Sequence, residues 1–241
     1  VARILMIAAH PDDIDFASGG SVARWVSEGD TVDYCICTDG DAGGYDESVG
    51  RVEMAELRHK EQRDAADVYG VSEIDWLGHP DGRLYVTHEL RRDISRSIRK
   101  HRPDRVVIPS PTRQLRNLYG SHPDHIAAGE AAMCAVYPDA RNPFAHPELL
   151  AEEGLEAWTV PETWISSPGE GADTYVDITD FIDAKVRALK AHVSQTAHMA
   201  DLAERMQMWG YAQAKAAGWC EDGTPEDERR FAEGFIVLDT K

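Results

Sequence analysis

An uninterrupted apolar run, Ile4-Leu5-Met6-Ile7-Ala8-Ala9, ends abruptly in His10-Pro11-Asp12-Asp13. That junction limits the fold more than any other stretch of the chain. A short apolar run bounded by a turn signal reads as a buried strand, here over residues 2–9. Pro11 fixes its own φ and keeps His10 out of helical conformation, so the strand must give way to a tight turn. Apolar and amphipathic stretches then alternate. The pattern predicts a helix over 18–28, a strand over 31–38 and a polar loop from Asp39 to Gly44. A long helix over 51–69, a short strand over 74–77, a helix marked by Leu90, Ile94 and Ile98, and a strand over 105–108 follow. Strands alternating with helices imply right-handed β-α-β crossovers. The expected fold class is α/β, a Rossmann-like, mostly parallel sheet flanked by helices.

Residues 126–136 continue the pattern as a helix. Residues 137–161 are broken up by Pro138, Pro143, Pro147 and Pro161, the texture of either a lid or a plain surface excursion. Strands are expected at 163–166, 175–178 and 235–238, with a helical region over 180–217 interrupted near Ser194. Met199, Leu202, Met206 and Trp209 recur there at helical spacing, as core or subunit contact. With no repeat and no convincing linker, residues 1–241 read as a single domain with a helical C-terminal region.

Composition removes several function classes. The formal net charge of −18 opposes a phosphate-binding footprint, so nucleic acid is not an expected partner. No apolar run approaches the length of a membrane span. The first apolar run lacks a basic flank and a small-residue cleavage site, so it reads as a strand rather than a signal peptide, and the expected location is cytoplasmic. Cys35 and Cys37 lie two apart in a strand, face one side and read as core filler. Met206, Met208, Trp209 and Trp219 offer material for a homo-oligomer contact.

The chemistry lies in two tetrapeptides, His10-Pro11-Asp12-Asp13 and His122-Pro123-Asp124-His125. In an open α/β sheet, ligands bind beyond the carboxyl ends of the strands, where the first motif falls. A tight turn there can bring His10 and Asp13 round one ion while Asp12 points elsewhere. His125 is the best candidate for a third ligand. Ser121 is expected to cap the following helix, with Asp124 completing a capping box. His122 and His125 then share a face at i and i+3. Two His and one carboxylate with an open position fit catalytic zinc. Asp12 is placed to act as general base, and His122 to protonate the leaving nitrogen or stabilise the oxyanion, with Asp124 orienting its ring.

Ala9-His10-Pro11-Asp12-Asp13 followed by Gly19-Gly20, together with His122-Pro123-Asp124-His125, resembles the PIG-L/LmbE-like metal-dependent N-acetylglucosaminide deacetylases. Thr38-Asp39-Gly40, the stretch from Leu77 to Gly82, and His192-x-Ser194-Gln195 resemble the family as well. The resemblance implies zinc on His10, Asp13 and His125, Asp12 as general base, His122 as electrophile or general acid, and Asp124 supporting His122. It implies that Arg58 and Asp81 lie near the sugar. The implied partner is a small-molecule amino-sugar substrate. The chain departs from the family at Ile14-Asp15, where many members have Glu directly after the Asp pair. It departs again at Gly120, where thiol-cofactor members have a Tyr that here stands at Tyr119.

Other readings of the site are an amidase cleaving an internal amide of a thiol-sugar conjugate, an Fe(II) oxygenase built on two His and a carboxylate, and a sugar-binding module without catalysis. A dinucleotide binder lacks its Gly-x-Gly-x-x-Gly after the first strand. The same donor set accepts Fe(II) as well as zinc.

Overall fold

The computed structural model describes residues 1–115, 118–167 and 171–241. Seven strands form one sheet among these residues: β1 (Arg3–Ala8), β2 (Thr31–Thr38), β3 (Ile74–His79), β4 (Arg105–Pro109), β5 (Glu162–Ser166), β6 (Thr174–Asp177) and β7 (Ala232–Asp239). Their order is β3-β2-β1-β4-β5-β7-β6. The first five are parallel, and β7 runs antiparallel between β5 and β6.

The alternation of side chains along a strand explains why β1 is apolar throughout. Ile4, Met6 and Ala8 enter the core on one face of the sheet, and Leu5, Ile7 and Ala9 enter the core on the other. Helices α1 (Asp13–Ser27), α2 (Arg51–Tyr69), α6 (Ile182–Ala191) and α8 (Leu202–Ala216) contribute to the first core. Helices α3 (His88–His101) and α4 (Pro123–Cys134) contribute to the second. In α3, Leu90, Ile94 and Ile98 are fully buried, each stabilising the fold by about 1.5–3 kcal/mol. Thr87 starts that helix by accepting a hydrogen bond from the Leu90 amide. Cys35 and Cys37 are free and buried in the second core, as core filler.

Several elements differ from the expectation. Helix α1 begins at Asp13 rather than at residue 18, because the turn at Asp12 reverses the chain at once and the Phe16 amide donates to the Asp12 carbonyl. The stretch 137–161 carries helical turns of its own. It opens with a π-turn (Ala135–Asp139) and contains α5 (Pro147–Ala151). The buried Arg99 guanidinium donates to the carbonyls of Asp139, Ala140, Asn142 and Ala145, fastening the segment to α3. The C-terminal helical region is interrupted near Ser194 as expected, at His192, with the short α7 (Val193–Thr196) between α6 and α8. Leu202 and Met206 are core, so Met206 offers nothing to a partner, whereas Met208 and Trp209 are exposed. No helix among the described residues is long and apolar enough to cross a membrane.

The strand order reverses between β1 and β4: the chain moves from β1 to β2 and β3 on one side and resumes with β4 on the other. Open α/β sheets bind ligands at such a switch point. Both tetrapeptides lie there, the first at the end of β1 and the second at the start of α4, which follows β4.

Candidate active site

Asp12 has φ 85° and ψ −24°, a left-handed conformation that non-glycine residues adopt at a cost. It turns the chain so that Asp13 opens α1 while its carboxylate swings back to accept from the His10 amide at 2.8 Å. From the other side of the switch point, α4 brings in His125. Its Nε2 lies 3.0 Å from Asp13 Oδ1 and 3.2 Å from His10 Nδ1. His10 Nδ1 is 3.5 Å from Asp13 Oδ2. Zinc bonds of 2.0–2.1 Å at tetrahedral angles place neighbouring donors about 3.3–3.4 Å apart. Asp13 meets His125 through Oδ1 and His10 through Oδ2, so its carboxylate straddles the two imidazoles. Among the described residues, the ligand atoms of His10, His122 and His125, and of His10, Asp81 and Asp124, gather closely enough for one ion.

The far side of the His10 ring is equally occupied. Its Nε2 lies 3.0 Å from Asp81 Oδ1 and 3.4 Å from Asp124 Oδ2. Carboxylates against a ring nitrogen fix a histidine's tautomer and orientation. Burial pulls the His10 pKa down, but Asp13, Asp124 and Asp81 raise it well above its ordinary value. Burial pushes the Asp13 carboxyl up, yet His125 and His10 hold it well below the usual carboxylate range.

Asp12 faces a different set of groups. The buried Arg58 guanidinium donates to Asp12 Oδ2 at 3.1 Å, to the Pro11 carbonyl at 2.5 Å and to the Gly40 carbonyl at 3.0 Å. Gly40 is required at its place: φ is 64°, and a Cβ would stand 2.5 Å from the Arg58 guanidinium. Burial raises the Asp12 pKa to about 6, with Arg58 opposing the rise and Asp13 adding to it.

Two expectations need correction. Ser121 does not cap α4, because its hydroxyl is engaged with the backbone of Gln114. The cap is His122, whose Nδ1 accepts from the Asp124 amide at 3.2 Å. The Asp124 carboxylate does not orient His122. It accepts from the amides of Gly82 and Leu84 and faces His10. Asp81 and Arg58 are 8% and 4% exposed, with Asp81 against His10 and Arg58 against Asp12. The Tyr119 side chain lies outside the described residues.

His122 completes the cluster, with its ring centroid 4.9 Å from that of His10 and 5.2 Å from that of His125. Burial lowers its pKa, as do the neighbouring His10 and His125 rings. Four carboxylates, three imidazoles and a guanidinium thus converge at one switch point.

The sequence pattern of the PIG-L family, described as GlcNAc-PI de-N-acetylase, matches residues 5–136, just over half of the 241-residue chain. This chain belongs to the PIG-L family. Among its PIG-L relatives, the diacetylchitobiose deacetylase of Thermococcus kodakarensis is 33% identical, covering 81% of this chain and 70% of its own. The 1D-myo-inositol 2-acetamido-2-deoxy-alpha-D-glucopyranoside deacetylase of Rhodococcus erythropolis is 31% identical, covering 80% of this chain and 81% of its own. The solved N,N'-diacetylchitobiose deacetylase of Pyrococcus horikoshii, complexed with its inhibitor MPG, matches with a TM-score of 0.84 at 30% identity, over 99% of this chain and 84% of that one.

Sequence reasoning overlooked part of this PIG-L site. Gln62 accepts from the Asp12 amide at 2.8 Å. The available signal was its place four residues after Arg58, on the same face of α2. Asp15 and His192 were noticed as motif features but given no role. They pair at 2.9 Å, fully buried, although His192 lies beyond the matched span.

Proposed function

We propose that this protein is a metal-dependent hydrolase that removes the N-acetyl group from an N-acetylglucosamine-type amino sugar or its conjugate. Water adds to the acetamide carbon, the C–N bond breaks, and acetate and a free amine leave. The observation that carries this is the approach of His10 Nδ1, Asp13 and His125 Nε2 to one another, with the Asp12 carboxylate, next in sequence to Asp13, held by Arg58.

His10, Asp13 and His125 would hold the ion, zinc by preference and Fe(II) by the same chemistry. Such a metal lowers the pKa of water and polarises a carbonyl oxygen. The protein's own groups do the rest. Asp12, oriented by Arg58, takes the proton from the attacking water and returns it to the leaving nitrogen, a role worth roughly 10²–10⁴ in rate. His122 accepts a backbone hydrogen bond at Nδ1, so its neutral ring carries the proton on Nε2. That proton is available to the acyl oxygen as negative charge develops there, which favours the electrophile over the general acid. Asp81 and Asp124 hold His10 in place. Residues 1–241 act as one domain in this reading, since β7 completes the sheet and His192 reaches back to Asp15.

The test is release of acetate and primary amine from a panel of N-acetylglucosaminides. Zinc-loaded wild-type protein should release both in equal amounts. Asp12→Asn should release neither while keeping its metal; Asn tolerates the left-handed backbone, so the substitution isolates the carboxylate. Metal-replete wild-type protein inert across the panel would contradict the proposal.

A further inference from the structure

We infer that Gln62, braced by Asp15 and His192, is a positioning residue that holds Asp12 in its strained backbone conformation. The inference rests on the assignment of Asp12 as general base. A left-handed residue other than glycine costs roughly 1–2 kcal/mol and persists only where its surroundings impose it. Arg58 restrains the Asp12 carboxylate and the preceding carbonyl. It does not restrain the Asp12 amide. That amide donates to Gln62 Oε1 at 2.8 Å.

The side-chain amide suits this place because its two ends differ. Its oxygen must face a backbone N–H, and its nitrogen donates to Asp15 Oδ2 at 2.9 Å. Asp15 Oδ2 also lies 2.9 Å from His192 Nε2, which fixes that nitrogen as the donor. Gln62, Asp15 and His192 are all 0% exposed, so a lost bond here leaves a buried polar group unpaired at about 1–3 kcal/mol.

His192 is itself held by its neighbours. It sits at the break between α6 and α7, and its carbonyl accepts from the Thr196 amide and hydroxyl. Two residues on, the Ser194 amide and hydroxyl both donate to Glu61, the residue beside Gln62. Adjacent residues of α2 thus fasten this junction on one side and the Asp12 turn on the other. The C-terminal helices thereby reach the geometry of the base without touching a ligand of the cluster.

The test compares Gln62→Met, which keeps length and loses both hydrogen bonds, with His192→Gln, which keeps a donor toward Asp15. In Gln62→Met, kcat should fall about 100-fold with KM and zinc content close to wild type, the pattern of a misplaced group rather than a lost site. The Asp12 amide should exchange with solvent about tenfold faster, read by NMR. His192→Gln should keep most of the activity that His192→Ala loses, and this pair decides the matter if Gln62→Met does not fold. Wild-type kcat with wild-type exchange in Gln62→Met would overturn the inference, as would a fall in kcat that merely tracks lost zinc. Should the wild type be inert on amino sugars, the deacetylase assignment fails by itself. The exchange rate still decides whether Gln62 restrains the Asp12 backbone.

Discussion

Replacing Gly129 with alanine should displace the helix that carries His125. A Cβ at position 129 would stand 2.4 Å from the Pro109 carbonyl oxygen, 2.9 Å from the Pro111 nitrogen and 3.1 Å from the Ser110 carbonyl carbon. All three are backbone atoms of the exit from β4, so no side chain can swing aside. Restoring an ordinary contact of about 3.4 Å at the closest atom requires a shift of about 1 Å. Alanine gains about 1 kcal/mol of helix propensity over glycine, but overpacking costs typically 1–3 kcal/mol. A net loss of up to about 2 kcal/mol corresponds to at most roughly 8 °C in Tm for a chain of this size. The site should suffer more than the fold. Metal bonds tolerate about ±0.2 Å, and His125 Nε2 sits 3.0 Å from Asp13 and 3.2 Å from His10. Calorimetry of the metal-free protein reads the first effect, and zinc titration against a competing chelator reads the second, expected as a loss of at least about tenfold. A Gly129→Ala protein that melts with the wild type and binds zinc equally well would refute the reasoning.

Other perturbations follow from the same contacts. Asp124→Asn weakens the carboxylate support behind His10, and zinc affinity should fall about 10–100-fold in the same chelator competition. Lys185→Met leaves Glu233 buried without its cation, with only the amides of Gly20 and Ser21 to satisfy it. The cost should be about 3–5 kcal/mol by denaturant titration, whereas an unchanged midpoint would mean the pair contributes nothing. His101 lies between Asp33 and Asp75; burial pulls its pKa down, but the two carboxylates raise it to about 9. Because the folded value is the higher one, the stabilisation is complete below about pH 6.5 and lost as pH rises through 9. The loss should amount to about 1–2 kcal/mol after solvent screening, and His101→Gln should flatten that part of the stability profile.

The sequence disclosed what local chemistry decides. An apolar run stopped by His-Pro, a second motif behind another strand, and alternating periodicities were enough for a parallel sheet and for the neighbourhood of His10, Asp13 and His125. Partner choice was hidden where it depends on which atom faces which across the switch point. Asp124 was expected to support His122, its neighbour in sequence, yet its carboxylate turns to His10 and to the amides of Gly82 and Leu84. Ser121 has the residue type of a helix cap, but the loop before it had already engaged its hydroxyl. Arg58 and Asp81 came from the family resemblance alone, and their burial against Asp12 and His10 is visible only in the structure. Gln62 carried no motif at all, and only the left-handed turn at Asp12 reveals why an amide is needed there.

Anomalous diffraction at the zinc edge, from crystals of the zinc-loaded protein, tests the central claim most directly. A single strong peak should lie within about 2.0–2.2 Å of His10 Nδ1, His125 Nε2 and an Asp13 carboxylate oxygen, with Asp12 beside it and His122 outside the coordination sphere. Zinc bound through His122 in place of Asp13, or seated between His10 Nε2 and the carboxylates of Asp81 and Asp124, would contradict it.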